Sequence, residues 1–90
     1  MDTIVEQFTD FASTIRYEDI RPASLHAAKR SLLDTLGCAI GSYASEPIVA
    51  LRKIASRVHC DTPATLIGTS TATSPELAAF VNGSMTRYSD

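Results

Sequence analysis

Ninety residues with eight basic and ten acidic side chains, a net charge of -2, give one small domain at most and no clustered basic face for nucleic acid. A composition of 44% hydrophobic and 20% charged residues excludes a disordered tail, and no apolar run approaches the roughly 20 residues of a membrane span. The acidic start Met-Asp-Thr-Ile-Val-Glu lacks the order of a signal peptide, and two cysteines, Cys38 and Cys60, are too few for a disulfide scaffold, so a cytoplasmic location is expected.

Ile4, Phe8, Phe11 and Ile15 recur at helical spacing and predict a first helix, with Asp2, Glu6 and Asp10 off that face. Residues 17–21 form a short connector. Pro22 suits the first turn of a second helix, whose apolar stripe runs through Leu25, Ala28, Leu32, Leu36, Ala39 and Tyr43. Gly37 and Gly41 lie four apart in that helix, a spacing that predicts close approach of another backbone. Lys29, Arg30 and Asp34 exclude a membrane-dimer motif.

Ser45, Glu46 and Pro47 read as the cap and first turn of a third helix. Its apolar face is Ile48, Leu51, Ile54 or Ala55, and Val58, with Arg52, Lys53 and Arg57 towards water, and Cys60-Asp61-Thr62-Pro63 ends it. Residues 64–68 predict one short extended segment and residues 69–73 a loop. Ser74-Pro75-Glu76 restarts a helix that is apolar on most sides through Leu77, Ala78, Phe80 and Val81. Between Thr62 and Thr86 the only charged side chain is Glu76, so much of this stretch is expected to be covered.

Signals for chemistry are sparse. His59 beside Cys60 has no second ligand at zinc spacing and reads as a helix-terminal histidine next to a free thiol. His26 reads as surface and Cys38 as a small buried side chain. The Gly68-Thr69-Ser70 corner is explained equally by tight turning and by backbone N–H groups offered to an anion. Asn82-Gly83 is locally a turn signal, with a continuing helix as the alternative. Arg87 and Asp90, three apart, become neighbours if the helix continues, and by themselves read as a surface ion pair worth at most about 0.5 kcal/mol.

Several blocks, in order, carry a resemblance to a known family: residues 11–12 with 15–20, residues 28–39 with the run Leu32-Leu33-Asp34-Thr35-Leu36-Gly37-Cys38-Ala39, residues 64–68, residues 74–83 with the run Ala78-Ala79-Phe80-Val81-Asn82-Gly83, and Arg87-Tyr88-Ser89-Asp90. Over almost the whole chain the sequence resembles the N-terminal region of the MmgE/PrpD family, which includes 2-methylcitrate dehydratases, cis-aconitate decarboxylases and iminodisuccinate epimerases. The resemblance implies an all-α fold for residues 1–90, as part of a larger helical domain whose α/β lid is absent from these residues. It also implies a longer homodimeric parent without a metal or other cofactor, and a helix continuing through Asn82-Gly83.

Asp90 matches the first acid of a family active-site stretch and is the expected catalytic residue. A carboxyl group packed against an apolar helix has its pKa raised towards the working pH, which suits proton transfer beside a substrate carboxylate. Asp90 orienting a histidine that moves the proton is the alternative. Arg87 is the expected substrate-binding cation, and pairing with it would oppose the rise at Asp90.

The Arg87-Tyr88-x-Asp90 wording looks most like the dehydratase branch, decarboxylase-like members tending to a His-Ser pair at the first two positions. The expectation is therefore a hydro-lyase dehydrating 2-methylcitrate, with a di- or tricarboxylate as its only small-molecule partner and neither nucleic acid nor membrane. The 90 residues alone are expected to be inactive. A helical interaction module without chemistry is the competing expectation, and the codons following Asp90 separate the two.

Overall fold

The computed structural model describes residues 2–88. Its elements in order are α1 (Thr3–Thr14), a 3₁₀ turn (Tyr17–Asp19), α2 (Pro22–Ser42), α3 (Glu46–Ala55), β1 (Ala64–Thr65), β2 (Ala72–Thr73) and α4 (Pro75–Arg87). The expected helical fold holds, with helix making up 68% of it and two short strands completing it. The chain divides within α2 into two units, one up to Ser31 and one from Leu32.

In the first unit, Asp2 caps α1 by accepting the Ile4 N–H at 2.8 Å, which satisfies one of the orphan donors of the first turn. The connector is closed reciprocally. Arg16 N–H donates to Asp19 Oδ2 at 3.0 Å, and Asp19 N–H donates to the Arg16 carbonyl at 2.9 Å. The predicted stripe Ile4, Phe8, Phe11 and Ile15 is present but uncovered, and Phe8 is 72% exposed.

The second unit holds the core: Ala39 from α2, Ile48 and Ala55 from α3, Leu66 after β1, and Ala78, Val81 and Met85 from α4. Burying each of the larger of these side chains contributes about 1.5–3 kcal/mol. Ser45 occupies the predicted cap position of α3, but its hydroxyl donates to the Ser42 carbonyl at 2.7 Å and so closes the α2–α3 turn. Ser74 caps α4 as predicted, accepting from the Leu77 N–H at 3.3 Å.

Five expectations need correction. The third helix stops at Ala55, not near Cys60. Ser56 sends its hydroxyl back to the Lys53 carbonyl at 2.8 Å, and Arg57 and Val58 close tighter i→i−3 bonds, so the ladder winds down before the weak helix formers that follow. His59 is therefore a loop residue. Residues 69–73 are not all loop, because Ala72–Thr73 pairs antiparallel with Ala64–Thr65, with Ala64 opposite Thr73. Arg52 is half-buried, since it shares the inward face of α3 with Ile48, Leu51 and Ala55. The spacing of Gly37 and Gly41 finds no close backbone, as a Cβ at either would meet open space among the described residues. Finally, α4 and the uncharged stretch around it are covered on one side only: Ala78, Val81 and Met85 are buried, but Phe80 is 59% exposed.

Candidate functional site at the end of α4

The helix runs through Asn82 and Gly83 without a break. The reason is tertiary. Asn82 shares a face with the buried Ala78, Val81 and Met85, and its amide is used as a clamp. Oδ1 accepts the Ile67 N–H at 3.0 Å and Nδ2 donates to the Thr65 carbonyl at 3.0 Å, which ties α4 to the hairpin. Two hydrogen bonds to the sheet outweigh the local turn preference of Asn-Gly. Thr73, fully buried, donates its hydroxyl to the Val58 carbonyl at 3.3 Å and secures the strand that leads into α4.

A second junction fixes the turn of the hairpin. The Arg52 guanidinium carbon lies 3.7 Å from the centre of the Tyr43 ring, and Nη1 donates to the Tyr43 carbonyl at 2.6 Å. Arg52 thus caps the chain leaving α2 while stacking on Tyr43, the residue that follows that helix. The ring lies in turn against Gly68, whose φ is +84° and where a Cβ would come within 2.9 Å of Tyr43 Cε2. Gly68 therefore answers two demands at once, a left-handed turn and a close approach.

Arg87 ends α4 as an exposed residue in its last turn, where a cation is favoured by the helix dipole. A guanidinium there offers the planar fork that recognises a carboxylate. Tyr88 follows, half exposed, with helical dihedrals. Asp90, the expected catalytic acid, lies outside the described residues.

The other candidates scatter. His26, His59 and Cys60 are exposed, Cys38 is partly buried, and Cys60 Sγ is 3.7 Å from Thr62 Oγ1. Among the described residues no group of three or more His, Cys, Asp or Glu side chains is placed to hold a metal ion. At the Gly68-Thr69-Ser70 corner the N–H groups of Thr69 and Thr71 are spent internally, on the Leu66 carbonyl and on Thr69 Oγ1. The tight-turn explanation holds there. The first unit has an open cleft of about 540 Å³ lined by Phe11, Ile15, Asp19 and Arg21, and the second has one of about 280 Å³ lined by Arg52, Lys53, Ser56 and Thr69.

Sequence reasoning missed Asn82 as the group that clamps α4 to the hairpin, and Arg52 as the group that holds the turn after α2. The signal available for Asn82 was a polar amide on the apolar face of an otherwise buried helical stripe, which demands a partner.

A family model described as the MmgE/PrpD N-terminal domain matches residues 6–90. No curated protein and no solved structure matches the chain.

Proposed function

The chain belongs to the MmgE/PrpD family, and from that premise we propose that it is the N-terminal part of a lyase that dehydrates 2-methylcitrate. The family includes lyases and dehydratases. The observation that supports the finer reading is the Arg87-Tyr88-Ser89-Asp90 stretch at the end of the matched residues, whose wording looks most like the dehydratase branch. That stretch supplies one cation and one acid within four residues.

Dehydration removes a proton from the carbon beside a carboxylate, forms a C=C bond with those electrons, and expels the neighbouring hydroxyl as water. On this reading Arg87 holds a substrate carboxylate and offsets the negative charge that builds on it as the proton leaves. Asp90 moves the proton, directly or through a histidine that it orients.

The working unit in this proposal is a cytoplasmic homodimer of a longer chain, and the 90 residues alone turn over no substrate. The uncovered apolar faces of α1 and α2 support it, with Phe8 at 72% and Leu33 at 72% exposure. Among the described residues no helix is long and apolar enough to cross a membrane. The same exposed faces favour a second reading, a helical interaction module without chemistry.

Asp90→Asn in the full-length protein decides between them. Loss of general acid–base catalysis lowers kcat by about 10²–10⁴-fold on 2-methylcitrate. A variant with wild-type turnover removes Asp90 from the mechanism, and a wild-type protein that never dehydrates the substrate removes the dehydratase reading.

A further inference from the structure

Helix α4 is fixed at three heights. Ser74 caps its start, Asn82 clamps its middle to the hairpin, and a third contact holds its end. There the Ser42 hydroxyl, from the last turn of α2, donates to the Met85 carbonyl at 2.7 Å. The same oxygen lies 3.2 Å from the Ala39 carbonyl of its own helix. A hydroxyl has one proton, and the shorter contact is the one across helices.

The ordinary use of a serine inside a helix is a bond back to its own preceding turn. Ser42 instead reaches 43 positions along the chain, from a site 2% exposed to a residue that is 0% exposed. Met85 belongs to the last turn of α4, where helix carbonyls run out of N–H partners within the helix. Ser42 therefore serves as a cap supplied from a different helix. Two residues beyond the capped carbonyl stands Arg87.

We propose that Ser42 is a positioning residue for the reaction: by capping Met85 it holds the last turn of α4, and so sets where Arg87 meets the substrate. This rests on the roles proposed above for Arg87 and Asp90. Without the cap the last turn frays, and a misplacement of about 1 Å at a reacting group costs roughly 100-fold in rate.

The test uses the full-length protein and compares Ser42→Ala and Ser42→Cys with Thr73→Val. Cysteine refills the space with a much poorer donor. Thr73→Val removes a different buried hydroxyl bond, in β2 ahead of the start of α4, with about 15 Å of helix at 1.5 Å per residue between Pro75 and Met85, and controls for loss of stability alone. Both Ser42 variants are expected to lower kcat/KM on 2-methylcitrate by about tenfold or more and to speed amide exchange at residues 85–88 by a similar factor. Thr73→Val is expected to change neither. Wild-type kcat/KM or unchanged exchange in both Ser42 variants, with Asp90→Asn inactive, overturns the positioning role. An equal activity loss in Thr73→Val also overturns it, because stability alone then explains the effect. Full turnover by Asp90→Asn overturns the functional reading itself, and the positioning role falls with it.

Discussion

Replacing Gly68 with alanine tests the junction of α2, α3 and the hairpin more sharply than any core truncation. At φ +84° a side chain costs about 1–2 kcal/mol of backbone strain. The new methyl group would also lie 2.9 Å from Tyr43 Cε2, on a ring that Arg52 holds by stacking at 3.7 Å. The ring therefore cannot swing aside without breaking that contact, which adds about 1–3 kcal/mol of overpacking. Alanine stiffens the unfolded chain and returns about 0.4–1 kcal/mol. The net expectation is a loss of about 1–5 kcal/mol.

Gly83→Ala supplies the contrast. Gly83 lies inside α4 with open space around its Cβ position, so alanine there gains about 1 kcal/mol of helix propensity. Urea unfolding followed by circular dichroism measures both, with an unchanged slope showing that the same surface unfolds. A Gly68→Ala protein within about 0.5 kcal/mol of wild type, or one more stable than Gly83→Ala, refutes the reasoning.

Asn82→Ala removes both hydrogen bonds to the hairpin and is expected to cost about 1–3 kcal/mol in the same assay. Asn82→Asp should cost more than Asn82→Ala, since it sets a carboxylate against the Thr65 carbonyl; equal or smaller loss contradicts the assigned amide orientation. Arg52→Met keeps the apolar stem and loses the 2.6 Å bond and the ring contact, for an expected loss of about 1–3 kcal/mol. Arg52→Lys should recover only part of that, because an ammonium lacks the planar fork. Phe8→Glu, at a position 72% exposed, should leave the unfolding midpoint within about 0.5 kcal/mol of wild type while lowering the binding of an apolar dye. Unchanged dye binding would show that the α1 face is already covered in solution.

The helices were legible in the sequence because they carry a 3.6-residue pattern, joined in α2 and α4 by start signals at Pro22 and Ser74. Half of the hairpin was legible: Ala64–Thr65 lies in the extended segment expected at 64–68, between Pro63 and Gly68. Its partner Ala72–Thr73 was not, being two residues long, too short for any alternation to register. The end of α3 was misplaced because Val58 continued the apolar spacing after the backbone had already left the helix. Arg52 was misread for a related reason: charge argued for water, whereas its value lies in the Tyr43 carbonyl and ring, nine residues away. At the candidate site Arg87 was visible as a charge, but the groups that hold its helix were not. Ser42 and Asn82 act through partners 43 and 15 to 17 positions distant, which no local rule connects.

The clamp by Asn82 has a consequence for how this molecule meets copies of itself. The Leu66 N–H turns inward to the Thr71 carbonyl at 3.0 Å, so the Thr65 carbonyl and the Ile67 N–H on either side of it point away from β2. They form the outer edge of a two-stranded sheet, the kind of edge on which a stray strand adds and aggregation starts. The side-chain amide of Asn82 bonds to both, standing where one residue of a parallel neighbouring strand would stand. A single side chain thus closes that edge, and a protein with aspartate or alanine at position 82 is open to strand addition there.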